Sequence, residues 1–91
     1  MRERPLGEVV QGLGQLDGGV IYASRPWRAD SVAEVHDDEQ PARHHEYLLE
    51  VDLAQEVLKV WSLWRDGRQP TALEAVGAVI YYAEHDVHQP E

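Results

Sequence analysis

Five histidines and a run of acids hold most of this chain's potential for chemistry. Imidazole and carboxylate groups exchange protons readily and bind hard or borderline metal ions. Two short segments concentrate them, His36-Asp37-Asp38-Glu39 and His85-Asp86-Val87-His88. Brought together, His36, Asp37, His85 and His88 would make an N/O ligand set for zinc or manganese and support metal-assisted hydrolysis. Neither segment has a helical metal spacing by itself. There is no HExxH, and the neighbours His44 and His45 cannot share a helix face. Solvated surface residues are the simpler reading, so we expect no metal and no cofactor. Acid–base work by Asp37, Asp38 or Glu39 would need two carboxylates about 5–10 Å apart across a cleft, which a hydrated charge run does not supply.

Other catalytic signatures are missing. Ser24, Ser31 and Ser62 lie in no G-x-S-x-G turn, and Gly12-Leu13-Gly14 lacks the third glycine and preceding strand of a dinucleotide loop. No Gly-Lys-Ser/Thr ending marks a phosphate loop. The absence of cysteine excludes disulfides, thiolate metal sites and a cysteine nucleophile. The pattern points away from an enzyme.

The charge is informative instead. Seventeen acids against eight Lys and Arg give −9, and nine of those acids fall between Asp30 and Glu56 beside one full positive charge, Arg43. That stretch carries −8, and the rest, with eight acids and seven bases, is nearly neutral. A concentrated negative field attracts basic partners and repels phosphate backbones. Arg25, Trp27 and Arg28 form a small basic and aromatic group, but Arg beside Trp is better read as a cation–π pair. Direct nucleic-acid binding is not expected.

These groups must be positioned by a domain of 91 residues, enough for one core. Leu6, Val9, Val10, Leu13 and Leu16 recur at helical spacing behind Pro5, with glycines that favour fraying near Gly14. Asp17-Gly18-Gly19 breaks that period, and Val20-Ile21-Tyr22-Ala23 reads as a strand. Ser31-Val32-Ala33-Glu34-Val35 alternates like a second strand with one wet face, and residues 36–45 read as an exposed acidic loop. A third strand is placed at 46–51 and a helix at 52–65, with Asp52 as N-cap and Gln55 completing a capping box. Gly67 ends that helix. Thr71 and Glu74 then cap a last one carrying Leu73, Val76, Ile80 and Ala83. Trp61 and Trp64, three apart, are expected mainly in the core of a chain without Phe, with Trp64 the better interface candidate. The expected architecture is a single α+β domain over residues 1–91: one helix, a small, mostly antiparallel three-stranded sheet, then two helices packed on one face. An all-α form, with 44–66 as one helix, is the alternative. No signal peptide or membrane span is apparent, so a cytoplasmic protein is expected.

Tyr47-Leu48-Leu49-Glu50-Val51-Asp52 leading into a helix, together with Ile80-Tyr81-Tyr82-Ala83-Glu84-His85-Asp86 near the end, resembles small acidic bacterial domains grouped with immunity proteins of toxin systems. The resemblance spans residues 6–88 and implies a binding partner rather than a reaction. The resulting expectation is an inhibitor or immunity-type protein whose segment 30–56 engages a basic partner such as a nuclease toxin. Asp37, Asp38, Glu39, Glu46 and Glu50 would supply charge, with Trp27 or Trp64 as the apolar anchor. A self-associating assembly subunit, with Lys59, Arg65 and Arg68 forming a basic patch for another copy, and a metal-assisted hydrolase are the alternatives. Either a monomer or a homodimer fits.

Overall fold

The protein's structure, a computed structural model, describes residues 3–37 and 46–88. It runs β1 (Arg4–Pro5), α1 (Leu6–Gln11), a 3₁₀ turn (Leu13–Gln15), β2 (Val20–Ala23), β3 (Val32–His36), β4 (Glu46–Glu50), α2 (Val51–Leu63) and α3 (Ala72–His85). The class is α+β, and the all-α alternative does not hold. The sheet has four strands in the order β1-β3-β2-β4 with every pairing antiparallel. The strand missed by sequence reading is β1, in which Arg4 and Pro5 lie opposite Ala33 and Val32. Two residues are too few to show alternation, and proline is tolerated there because the strand is an edge.

Register separates the two faces. Ile21 pairs with Val35 and with Leu49, and Ala23 pairs with Ala33; all five side chains are buried in one core with Leu6, Val9, Val10 and Leu13. The helices supply the rest of that core through Val51, Ala54, Val57 and Trp61 of α2 and Ala75, Val76, Ala78 and Val79 of α3. The other face holds Val20, Tyr22, Glu34, His36 and Tyr47, with the Tyr22 ring edge-on to both His36 (5.4 Å) and Tyr47 (6.2 Å). A bulge between Ile21 and Tyr22 in the pairing to β4 lets Leu48 and Leu49 both be buried, which simple alternation would not allow.

Several boundaries differ from expectation, each for a local reason. The first helix stops at Gln11 and tightens into the 3₁₀ turn just past Gly12, where the glycines weaken it. Ser31 belongs to the preceding turn rather than the strand: its hydroxyl donates to Pro26 O (2.9 Å) and accepts from Arg28 N (2.8 Å). The second helix begins one residue early, at Val51, with Glu50 at its N-cap making no side-chain bond. Asp52 is therefore inside the first turn and no capping box forms. Gln55 is used elsewhere, its Nε2 donating to Leu13 O (2.7 Å) and Leu16 O (3.0 Å) and so tying α2 to the segment before β2. That helix ends at Leu63, two residues short of the predicted end, and Gly67 with φ +82 closes the turn by donating to Ser62 O (2.8 Å). Leu73, assigned to the apolar stripe of the last helix, is 74% exposed.

The Thr71–Glu74 capping box is present as predicted. The Glu74 carboxylate accepts from Thr71 N (2.9 Å) and is held by both guanidinium nitrogens of Arg68 (3.1 and 3.2 Å). The Thr71 amide first and the Arg68 guanidinium second lower its pKa.

Two outcomes follow from these bonds. Gln55→Ala leaves two carbonyls without their donor and should destabilise the fold by about 1–3 kcal/mol, read as a lower urea midpoint at unchanged m-value. A lowered Glu74 pKa means its stabilisation is present above the ordinary carboxylate value of 4.5 and is lost as pH falls through the lowered one. Glu74→Gln should therefore flatten that acid limb in a pH series of thermal melts while leaving the slope above pH 6 unchanged.

Candidate functional site

A turn of two glycines gathers the carboxylates. Gly18 and Gly19 take φ +134 and +109, conformations that side-chain-bearing residues rarely adopt. A Cβ on Gly19 would stand 2.5 Å from His36 O, so the chain can start β2 this close to the end of β3 only without a side chain. On the other flank Val51 N donates to Gly19 O (2.9 Å), joining the start of α2 to the same turn. Because β2 is antiparallel to both neighbours, Val20 lies opposite His36 and opposite Glu50. The entry to β2, the ends of β3 and β4 and the start of α2 therefore share one end of the sheet.

That end is acidic. Asp17 precedes the glycines, Asp37 follows β3, Glu50 closes β4 and Asp52 lies in the first turn of α2, its Oδ1 4.0 Å from where a Cβ of Gly18 would stand. A cleft of about 420 Å³ opens between Gln15–Gly19 and Val35 and Asp37, with Asp17 and Asp37 among its lining residues. Among the described residues no ion pair or side-chain hydrogen bond neutralises any of these four acids. The amides at the start of α2 offset part of the charge through the helix dipole.

The opposite end of the sheet is balanced. Arg25 there pairs with Glu46 and stacks 3.9 Å above the Trp27 ring, whose Nε1 donates to Ala23 O (3.2 Å). Arg28 lies 3.5 Å from Asp30. Of the residues assigned to partner binding, Asp37 and Glu50 thus stand together at the acidic end, whereas Glu46 and Trp27 belong to the Arg25 stack. Asp38 and Glu39 lie outside the described residues. Trp64 is half exposed at the far end of α2, about 18 Å along the helix axis from Asp52, with its ring against His88 (5.7 Å). Trp61 is the tryptophan of the core, covered by the guanidiniums of Arg65 (4.2 Å) and Arg68 (4.8 Å). Those arginines are turned onto Trp61 rather than spread as a basic patch with Lys59.

The sequence alone marks Asp17 as a helix breaker and Asp52 as a cap, and neither as a member of this acidic end. Antiparallel pairing of 20–23 with both later strands was the signal that would have placed them beside Asp37. The candidate ligands His36, Asp37, His85 and His88 do not assemble: among the described residues no three His, Asp or Glu converge to hold an ion. His36 is instead 3.4 Å from Glu34, His85 lies on Tyr81 (4.3 Å) and His88 on Tyr82 (5.0 Å). Among the described residues no helix is long and apolar enough to cross a membrane. No protein-family model, no curated protein and no solved structure matches this chain.

Proposed function

We propose that the protein is a binding module, an inhibitor or immunity-type protein whose acidic end engages a basic surface of a partner such as a nuclease toxin or another nucleic-acid-binding protein. The observation that supports this reading is the convergence of Asp17, Asp37, Glu50 and Asp52 at one end of the sheet, without a compensating cation among the described residues. Crowding like charges costs stability, so an arrangement that nothing in the fold requires is best accounted for by an external cation. The cleft beside Asp17 and Asp37 suits a Lys or Arg side chain, held by charge-assisted hydrogen bonds. Asp38 and Glu39 follow Asp37 in the same negative stretch of the sequence.

The mechanism is occlusion. Carboxylates standing where phosphates would stand steer a basic groove onto the acidic end and fill it, and the on-rate gained falls with salt because the Debye length shrinks to roughly 5 Å at 0.5 M. The opposite sign, direct binding of nucleic acid, is opposed by the same field.

Two measurements test this. Neutralising the crowded acids in Asp17→Asn/Asp37→Asn should raise the melting temperature at 20 mM salt, and the gain should shrink towards zero at 0.5 M; an equal gain at both would mean the charges do not crowd one another. A tagged chain incubated with host lysate should retain a basic protein at low salt and release it near 0.5 M. Asp17→Asn/Asp37→Asn/Glu50→Gln should lose that protein at least tenfold, and retention of the same protein by this variant would overturn the reading.

A further inference from the structure

The turn that leads into β2 also carries a reactive bond. Asp followed by Gly is the dipeptide in which a side-chain carboxyl and the next backbone nitrogen close most readily into a five-membered imide, because glycine places no Cβ beside the attacking atom. The chain has no Asn, and Asp-Gly occurs at two places, Asp17-Gly18 and Asp66-Gly67. Both aspartates are exposed, both pairs lie outside helices and strands, and both glycines have positive φ, +134 and +82. Exposure and turn geometry therefore do not separate them.

The glycine nitrogen does. Gly67 N donates to Ser62 O (2.8 Å) and closes the end of α2, so ring closure at Asp66 has to give up that bond. Gly18 N donates to no acceptor among the described residues, and there the Asp17 carboxylate has neither an ion pair nor a hydrogen bond. Closing the ring at Asp17 breaks no bond of the fold. The backbone on either side is held, by Gln55 Nε2 on Leu16 O (3.0 Å) and by Val51 N on Gly19 O (2.9 Å), so a change in chain length has to be absorbed within Asp17–Gly18 itself.

We propose that Asp17-Gly18 is a site of spontaneous isoaspartate formation in the folded protein, and that the Gly67–Ser62 bond protects Asp66-Gly67 from the same reaction. The Gly18 nitrogen attacks Cγ of the protonated Asp17 carboxyl; a C–N bond forms, and the carboxyl OH leaves with the amide proton as water. Water then adds to one of the two imide carbonyls. Opening of the Cγ–N bond restores aspartate, whereas opening of the original peptide bond routes the main chain through Cβ and Cγ. The product keeps one negative charge, but its main chain is one carbon longer and its carboxylate arm one carbon shorter, which displaces charge at the acidic end. Only water takes part. The reaction is independent of what that end binds.

Cleavage at Lys59, the single lysine, puts each Asp-Gly in its own fragment and so allows a direct test. The folded full chain is aged at neutral pH and physiological temperature, then unfolded and cut. Isoaspartate in each fragment is measured by labelling with an isoaspartyl methyltransferase and by fragmentation mass spectrometry. Fragment 1–59 should gain it roughly ten times faster than fragment 60–91, the factor that one backbone hydrogen bond is worth. Asp17→Glu, whose imide would need a six-membered ring, should abolish the gain while circular dichroism shows the variant folded. Ageing in urea, where no fold protects either site, should bring the two rates together. Equal rates in the folded chain, a faster rate at Asp66, or no isoaspartate in either fragment would overturn the proposal. So would a gain in fragment 1–59 that survives Asp17→Glu, or a ratio that urea leaves unchanged.

Discussion

The close approach of β2 to its neighbours at Gly19 is the constraint on which the arrangement depends. The backbone there stands against His36 O on one side and accepts the Val51 amide on the other, with a φ that disfavours a side chain. This one position, just before β2, links the end of β3 to the start of α2. All four residues of β2 are buried, so the strand cannot slip by one residue without moving Ile21 and Ala23 out of the core and Tyr22 into it. The register at Gly19 therefore also fixes where the carboxylates end up.

Around that junction the molecule divides its tasks by end rather than by face. Apolar side chains of one sheet face and three helices make a single core, and the charged residues are sorted along the strands instead. At the Ala23 end Arg25 finds internal partners in Glu46 and Trp27. At the Val20 end anions do not. Gln55 adds to the separation by holding the Leu13–Leu16 backbone against α2, which keeps the Asp17 turn from swinging away from Asp37. A neutral amide can do this without adding another charge where charges are already crowded.

Much of this was legible in the residues. Val20-Ile21-Tyr22-Ala23 is β-branched and aromatic between a diglycine and a proline turn, and its strand has those bounds. Thr71 and Glu74 sit at the spacing of a reciprocal cap, and the bonds form. What was not legible depended on contacts distant in sequence. Gln55 has the right spacing from Asp52 for a local cap, and only the arrival of Leu13 and Leu16, some forty residues earlier, shows that its amide is used on them. A two-residue strand such as Arg4–Pro5 has no period to detect. The acidic segment was visible as composition, but its convergence with Asp17 is a property of antiparallel pairing, which places residues distant in sequence side by side at a sheet end.

The separation of charge along the strands gives the protein a dipole as well as a net charge, and the two have different consequences in solution. Net charge sets whether an approaching surface attracts or repels the molecule; the dipole sets which way it is turned when it arrives. A chain with unpaired carboxylates at the Val20 end and Arg25 and Arg28 paired at the other experiences a torque at distances where no atom is in contact. A positive surface draws the Gly18–Gly19 end forward, and a negative one turns the C-terminal end of α2 forward, so the molecule reaches each kind of surface already oriented.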